Sequence, residues 1–445
     1  MMIKHQEGHA SNWRVLLILF FLTSIVESMG MSHVFSFMPV YLQGMHTPHV
    51  ATWVGILSAV TFVTGLPLVP LWGIWAQRFG GKAIIIRSAY VETVVFVVLG
   101  MSHVLAGVFI GMLLVGFQLG NTGVMLAEIR RAAPNERVGY AVSVFSVASS
   151  VGMAGGPLLG GLLTGIHLIN LHGLYILDGI LSFLVGTMLL VWYRQPRQQP
   201  HEQSGRRKQS PAKLQVSQAE DDGVTSGSAA QQSAWKAAWK SVQFTFSLRI
   251  SWVLFGIYTV LMMARQMVMP YLPIVIENLH LHFASTTFII GILMGLTAVI
   301  GAVITVIAGR IGDRLGFVRI LAIAFAAAIP ASVLLGFLGN VLWFTVALTV
   351  FSAGYSIGGA MIFALFSTRI PESHRSTALN LVYLPLYLGG IIGPTLASAL
   401  THVGLFGPYI GAAVFLLSGL VLILTLLVKR RSSTPVPHSP QSPSM

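Results

Sequence analysis

Two ionisable side chains lie deep inside long apolar segments of this chain, Glu27 near the start and Arg265 in the second half. A charged side chain at the centre of a membrane-spanning helix costs about 2.5 to 3.5 kcal/mol, so it is retained where it has a partner or a function. Apolar surroundings favour the neutral form of a carboxyl group and a nearby cation favours the charged form, which makes Glu27 a candidate for reversible proton binding. Asp178 is a second candidate, because it lies about 9 Å from the end of its segment, where water would reach it.

These residues also allow other interpretations. Glu27 and Arg265 would serve equally as a static ion pair that joins the two halves of the chain. Arg87 and Glu92, five residues apart in one segment, fit a local ion pair or a contact with a neighbouring helix. Glu128 precedes two arginines near the end of its segment, which favours an interfacial ion pair.

The elements that hold these residues must be membrane helices. Hydrophobic residues make up 55% of the 445 residues and charged residues only 9%, and the mean hydropathy is +0.78, values that a soluble domain does not reach. The chain has no cysteine and no helical His-x3-His pair, so we predict no metal site and no cofactor. The net charge of +13 does not indicate nucleic-acid binding, because Lys and Arg occupy the joints between apolar segments and one polar linker.

A spanning helix needs about 20 apolar residues, and twelve segments meet that length, six in each half of the chain. The predicted spans are 14–42, 51–76, 82–101, 104–127, 138–164, 172–193, 247–276, 286–308, 317–339, 341–367, 377–402 and 406–428. We therefore predict an all-α polytopic membrane protein with a six-helix bundle at 1–193, a disordered cytoplasmic linker at 194–246, a second bundle at 247–431 and a disordered tail at 432–445.

The distribution of positive charge predicts the orientation of these spans. With twelve spans, every Lys and Arg except Arg265 falls on one side of the bilayer or at its border. The positive-inside rule makes that side the cytoplasm, so we expect both termini there and the chain in the cell membrane.

A short polar joint occurs twice, at 73–82 and at 309–319, displaced by 236 residues from Gln77 to Asp313. The matched pairs are Gly73 with Gly309, Gln77 with Asp313, Arg78 with Arg314, and Gly80 with Gly316. A second motif repeats at nearly the same displacement: Gly152, Gly156 and Pro157 correspond to Gly389, Gly393 and Pro394. The chain is one unit written twice, as in transporters with internal repeats.

The fifth span carries glycines at intervals of four, Gly152, Gly156 and Gly160, followed by Gly161. Such residues form one helical face, and Pro157 removes a backbone donor from it. This pattern predicts close, kinked packing against a neighbouring helix.

Six plus six helices, a long central linker and the repeated joint resemble the major facilitator superfamily. In that family the Asp and Arg of the joint form a cytoplasmic latch that holds the outward-open state and breaks as the bundles rock. Asp313 and Arg314 match the latch in the second half. In the first half Gln77 stands at the Asp position beside Arg78, so that copy lacks its carboxylate.

The Gly-Pro pair of the fifth span, with Gly160 and Gly161, is similar to a signature of drug and proton antiporters in that superfamily, although Ser143 replaces its most upstream glycine. In the family spans 1, 4, 7 and 10 line a central cavity, so the resemblance implies that Glu27 and Arg265 face each other or a common substrate. By position the other cavity candidates are Phe117, Gln118, Asn121, Tyr258, Met262, Gln266, Phe351 and Tyr355.

We expect a monomeric secondary transporter of the multidrug efflux kind, which exports small amphipathic molecules in exchange for protons by alternating access. The sequence contains no phosphate-binding loop and no metal-binding cluster, so we do not expect an enzyme. Two alternatives stay open. One is a transporter of a defined metabolite such as a sugar or organic acid, in which Arg265 binds an anionic group. The other is a membrane sensor or assembly factor that docks through the linker.

Overall fold

The computed structural model describes residues 4–193, 249–279, 285–369 and 383–432, and the regular elements in these ranges are all helices. The predicted fold class is therefore confirmed. The predicted linker at 194–246 and the tail residues beyond 432 lie outside the described residues, so the domain boundaries beside them stay predictions.

The helices follow the predicted spans closely. In the first half they are α1 (Lys4–Gly44), α2 (Val50–Phe79), α3 (Gly81–Met101), α4 (Leu105–Gln118), α5 (Asn121–Ala132), α6 (Val138–Gly165) and α7 (Leu171–Trp192). In the second half they are α8 (Arg249–Val268), α9 (Leu272–Glu277), α10 (Thr286–Leu315), α11 (Phe317–Leu335), α12 (Val341–Arg369), α13 (Tyr383–Leu400) and α14 (Gly407–Ser432).

Two spans that we predicted as continuous helices are broken. The fourth ends as α4 and resumes as α5, because Gly120 between them has a φ of 102°, a conformation that favours glycine. The seventh passes from α8 through a 3₁₀ turn at Met269–Tyr271 into α9. Pro270 and Pro273 lie at this break, and neither has the amide hydrogen that a continuous helix requires.

Eleven apolar segments of the described residues are long enough to cross a membrane, counting α4 with α5 and α8 with α9 as one segment each. The apolar part of α13, Leu384–Leu400, is shorter. The first residues of its predicted span, 377–382, lie outside the described ranges. The chain is therefore a multi-pass membrane protein.

The repeated joint has the same backbone form in both halves. Gly80 and Gly316, the matched glycines, end α2 and α10 with φ values of 87° and 94°. Gly73, Gln77 and Arg78 lie in the last turns of α2, and for these three residues the structure describes only the backbone.

Helix pairs within each half build two bundles. In the first, α1 packs along α6 and α3 along α7; in the second, α8 packs along α13, and α11 along α12 and α14. The halves meet mainly through α6 with α10 and α2 with α13. These two contacts correspond to each other under the repeat, as expected for two copies of one unit.

The hydrophobic core shows where the halves are joined. One cluster runs through both halves and includes Phe37 and Tyr41 at the end of α1 with Tyr271 and Ile290 of the second half. A separate cluster around Phe20 belongs to the first half alone. The halves are thus packed together at the end of the molecule where α1 ends and α2 begins, which we call the closed end.

We expect Gly316→Ala to destabilise the protein by about 1 to 3 kcal/mol, because residues with a Cβ rarely adopt a φ of 94° with a ψ of 133°. Gly309→Ala in the same joint is the control, since no atom lies within 4 Å of a Cβ at that position. Thermal unfolding of both purified variants in detergent checks the prediction. An equal loss of stability in the two would contradict the conformational role of Gly316.

Candidate functional site: a central cavity and buried ionisable groups

A cavity of about 290 Å³ lies between the two halves, lined by α1, α6, the α8 segment with its 3₁₀ turn, α10 and α12. Hydroxyl groups come from Ser32, Ser36, Ser149, Ser150, Thr297, Ser352 and Ser356. Thioethers and aromatic rings come from Met153, Met269, Met294, Phe35 and Tyr355. Arg265 is the one charged residue that the described part of the chain contributes to the lining. The cavity is therefore amphipathic, with a single fixed cation.

Arg265 is held by two neighbours. Its guanidinium donates to Oε1 of Gln266 at 3.1 Å, and its central carbon lies 4.7 Å from the centroid of the Tyr355 ring. Its Nε is buried and has no hydrogen-bond partner among the described residues. Since guanidinium has five donor hydrogens, the cavity keeps donors available for a guest that carries an acceptor.

Glu27 lies on α1 and is partly accessible. Its two carboxyl oxygens accept hydrogen bonds from the side-chain amides of Gln118, at 3.1 Å, and Asn121, at 3.0 Å. These are the last residue of α4 and the first of α5, so the break at Gly120 lies directly beside this carboxyl group. The Oε1 atom of Gln118 is buried and has no partner in the described part of the chain.

The predicted cavity residues fall into three groups. Arg265, Gln266 and Tyr355 line the cavity, whereas Gln118 and Asn121 turn to Glu27 instead. The buried side chains of Tyr258, Met262 and Phe351 belong to the hydrophobic cluster that runs through both halves, and Phe117 is exposed on α4. None of these last four is among the described residues that line the cavity.

The walls of the cavity differ from the expected ones. Spans 1, 7 and 10 contribute to it as the resemblance implied, but span 4 does not, and α6 and α10 take its place among the described residues. These two helices touch near the closed end, at Gly161 and Gly291, and the cavity separates them further along, between Ser149 and Gly301. The cavity follows from this divergence.

Glu27 and Arg265 are not bonded to each other in the described structure. Glu27 accepts hydrogen bonds from two side-chain amides, whereas Arg265 donates to Gln266 and makes a cation–π contact with Tyr355. The static ion pair is absent from the described residues in this conformation. Arg265 lines the cavity, and Glu27 is not among the described residues that line it.

The structure shows that the predicted access of water to Asp178 is wrong. We expected it to be reached by water, but it is 2% exposed and its Oδ2 lies 2.8 Å from Nδ1 of His33. α7 packs against both α1 and α3, which seals this carboxyl inside the first bundle. His33 itself was missed, although a histidine six residues after Glu27 within one apolar span is a signal of the same kind.

The remaining ionisable residues have local roles. Arg131 pairs with Glu128 at 3.1 Å, and the Tyr193 hydroxyl donates to the same carboxyl group, as expected of an interfacial pair. The central carbon of Arg87 lies 3.4 Å from the centroid of the Trp72 ring on α2, so of the two predicted roles the contact with a neighbouring helix is the one observed in the described residues.

The glycine face of α6 packs as predicted. Gly152, Gly156 and Gly160 face α1, where added Cβ atoms would meet the backbone of Ile25 and Met29 and the ring of His33. On the adjoining face, Pro157 and Gly161 contact α10 at Gly291. In the second half Gly389 and Gly393 face α8 at Met263, and the Pro394 carbonyl faces Gly55 of α2.

Polar contacts between the halves lie at the closed end. Gln43 donates to Glu277 at 2.6 Å, and Ser398 donates to the Thr52 carbonyl at 3.0 Å. The hydroxyl groups of Thr52 and Thr401 are 3.5 Å apart. At the other end, Asp313 and Arg314 are exposed, and Asp313 makes no salt bridge within the described residues.

Comparisons with known proteins agree with this architecture. The family model described as Major Facilitator Superfamily matches residues 16–379 and 254–444. The chain belongs to this superfamily. It is accordingly a transporter of small molecules in the membrane, and the resemblance inferred from the repeated joint is confirmed.

One curated relative extends over nearly the whole chain. The multi-drug resistance efflux pump PmrA of Streptococcus pneumoniae is 23% identical over 423 residues, which cover 94% of this chain and 95% of the relative. Among solved structures, an inward-facing bacterial homolog of the human lysosomal transporter Spinster gives a TM-score of 0.68 at 14% identity, over 96% of this chain and 98% of the other. The nucleoside transporter NupG gives 0.67 at 11% identity, over 93% and 99%. At these identities the two structures show the fold alone.

We expect Gly152→Ala to destabilise the protein by about 1 to 3 kcal/mol through overpacking. Its Cβ would lie 2.5 Å from the Ile25 carbonyl oxygen and 2.8 Å from the Cβ of Ser28. Gly155→Ala is the matched control on the same helix, because no atom lies within 4 Å of its Cβ position. Thermal unfolding distinguishes them, and an unchanged melting temperature for Gly152→Ala would contradict the close α1–α6 contact.

A disulfide between two introduced cysteines can lock the closed end. The chain has no cysteine of its own that would compete in this reaction. We expect a Thr52→Cys, Thr401→Cys double variant to form a disulfide on oxidation, since the two hydroxyl oxygens are 3.5 Å apart. Transport should stop on oxidation and return on reduction, with each single variant unaffected. Undiminished transport by the fully crosslinked protein would show that this end does not open.

Proposed function

We propose that the chain exports small amphipathic molecules in exchange for protons by alternating access. The observation that carries this proposal is the setting of Glu27, a partly accessible carboxyl group inside the bundle, bonded by two amides and without a cationic partner in the described residues. A group of this kind can change its charge without breaking an ion pair. That property is what a proton carrier needs.

Gln118 allows both protonation states of Glu27. As a carboxylate, Glu27 accepts from the two amides at 3.1 and 3.0 Å. As a carboxylic acid, it has an O–H that needs an acceptor, and the unpaired Oε1 of Gln118 takes that role when the amide turns over. In each state both oxygens of Glu27 have a partner and one polar atom of the Gln118 amide has none, Oε1 with the carboxylate and Nε2 with the carboxylic acid. The two states are therefore matched, which keeps the difference in free energy between them small.

The proposed orientation, with both termini in the cytoplasm, makes the closed end the outer one. The cavity then opens to the cytoplasm, where substrate would be loaded. The exposed Asp313 and Arg314 fit a latch that is released in this conformation. Rocking of the bundles about the glycine contacts of α6 with α10 and α13 with α2 would open the outer end.

Coupling would run through α1. This helix carries Glu27 and also contributes Ser32 and Ser36 to the cavity. In the inward-open state Glu27 would lose its proton to the cytoplasm as substrate binds. After the bundles rock, Glu27 would regain a proton from outside as substrate leaves, so that each proton moving inward drives export.

The lining of the cavity supports an amphipathic substrate. Methionine and aromatic side chains adapt to varied apolar shapes, and the hydroxyl groups and Arg265 bind acceptors. The name of the full-length relative, a multi-drug resistance efflux pump, supports export over uptake. We further propose that the protein acts as a monomer in the cell membrane.

A second candidate is a transporter of a defined metabolite with an anionic group. It is favoured by Arg265, whose partly unsatisfied guanidinium is the charged group of the described lining. In that case Arg265→Gln would abolish binding of the anion and Arg265→Lys would retain part of it, whereas binding of neutral amphipathic compounds would need neither.

We expect Glu27→Gln to abolish proton exchange, because the new amide carries no transferable proton. It can still accept from Asn121 and, once the Gln118 amide turns over, donate to Oε1 of Gln118. In everted vesicles with an imposed proton gradient, substrates should dissipate the gradient with wild type and roughly tenfold or more weakly with the variant. Glu136→Gln, which changes an exposed loop carboxyl, is the control.

The panel of compounds should include neutral, cationic and anionic amphipathic molecules. Wild-type rates for Glu27→Gln would remove Glu27 from the mechanism. A response confined to anions, lost in Arg265→Gln, would favour the metabolite transporter.

A further inference from the structure

His33 is buried in the first bundle and is not among the described residues that line the cavity. It is 2% exposed, with Nδ1 at 2.8 Å from Oδ2 of Asp178 and Nε2 at 2.8 Å from the carbonyl oxygen of Gly156. Gly160 makes room for the ring, because a Cβ there would lie 2.8 Å from Cδ2 of His33. One imidazole thus joins α1 to α6 and α7.

The two hydrogen bonds determine where the protons must be. A carbonyl oxygen only accepts, so Nε2 of His33 must carry a hydrogen and donate it to Gly156. The contact between Nδ1 and Asp178 then needs a second hydrogen, on either the nitrogen or the oxygen. Without it two lone pairs would face each other at 2.8 Å, and the pair would carry an uncompensated buried charge. In this conformation the pair therefore holds one exchangeable proton and is neutral as a whole.

A third buried carboxyl group, Glu92, lies near both Asp178 and Glu27. Asp178 lies within electrostatic reach of Glu92 on α3 and of Tyr175 on α7, and Glu92 in turn lies within reach of Glu27. Glu92 is 4% exposed, and its Oε1 has no hydrogen-bond partner among the described residues. The α6 surface that faces His33 is built from glycine, with no titratable side chain in contact with His33 in the described part of the chain.

We propose that His33 and Asp178 form a second proton-binding site, which passes its proton to the unprotonated Glu27 by way of Glu92 and takes up a replacement from outside when the closed end opens. This inference rests on the proposed proton exchange at Glu27. The pair gives the proton held at Nδ1 or Oδ2 to one oxygen of the Glu92 carboxylic acid, while the other oxygen of Glu92 gives its proton to the Glu27 carboxylate. The pair is then left with one negative charge, which the proton taken up from outside neutralises. The site lies inside the first bundle, apart from the substrate.

The Asp178→Asn variant distinguishes two roles of the His33–Asp178 pair, a proton carrier and a purely structural contact between helices. The asparagine amide can donate to Nδ1, so His33 keeps both hydrogen bonds but the exchangeable proton is gone. In vesicles we expect proton-driven export to fall roughly tenfold or more, since a proton-transfer group is lost. Substrate counterflow without a proton gradient should stay at the wild-type rate, because it needs no net proton movement.

Other outcomes overturn the inference. Unchanged proton-driven export would make the pair a bystander, and equal loss of export and counterflow would make it a structural clamp only. If Glu27→Gln loses proton exchange while Asp178→Asn does not, the proposed function stands and the second site is wrong.

The protonation of the His33–Asp178 pair can also be measured directly, which tests the inference even if the wild-type protein shows no proton exchange. ¹⁵N spectra of histidine-labelled protein, with His33 assigned by loss of its signal in His33→Gln, report on Nδ1 between about pH 5 and 9. We expect a proton shared with Asp178 in wild type and a bare acceptor nitrogen in Asp178→Asn. An acceptor nitrogen in wild type, together with an ionised Asp178 carboxyl group in ¹³C spectra, would refute the proton-holding pair whatever the transport result.

Discussion

Contact of backbone with backbone along α6 is the constraint on which the other features depend. In a bilayer apolar side chains gain little from leaving lipid, so helices are held together by close packing of small residues. α6 uses one glycine face for α1 and the adjoining face for α10. The first contact holds α1, with Glu27 and His33, in the bundle, and the second joins the halves at the closed end. α13 repeats the arrangement with α8 and α2.

Glu27, Asp178 and Arg265 each have their contacts within their own half. Glu27 has amides, Asp178 has His33, and Arg265 has an amide and an aromatic ring. Breaking a buried ion pair costs about 3 to 5 kcal/mol, so a pair between Glu27 and Arg265 would resist movement of the bundles. Because no such pair exists in the described residues, what joins the halves is glycine contact, apolar packing and a few hydrogen bonds at one end. These interactions can be exchanged at lower cost during rocking.

Structural features that depend on local or repeated sequence patterns were predicted well. Hydropathy alone locates the spans, because every spanning segment must be apolar along its length. The glycines of the joint, Gly80 and Gly316, recur with the same backbone conformation since no other residue adopts it readily. The intervals of four in α6 predicted a packing face, and Gly152, Gly156 and Gly160 form one.

Properties that depend on several helices at once were predicted less well. The break at Gly120 was missed, because a glycine in an apolar run is compatible with a continuous helix. Asp178 was expected to meet water from its distance to the end of one helix, but the packing of α7 against α1 and α3 buries it. α6 and α10 line the cavity because of the angle between them, and no one-dimensional pattern records that angle.

The sequence by itself determined the class of the protein, its spans and its twofold repeat, since apolar length, charge asymmetry and glycine spacing are properties of the chain. Only the tertiary structure decided which polar groups meet. Hydrogen bonds such as those of Glu27 with Gln118 and of His33 with Asp178 join residues 91 and 145 positions apart. Such partners are selected by the packing of helices, which depends on the shapes of all the surfaces in contact.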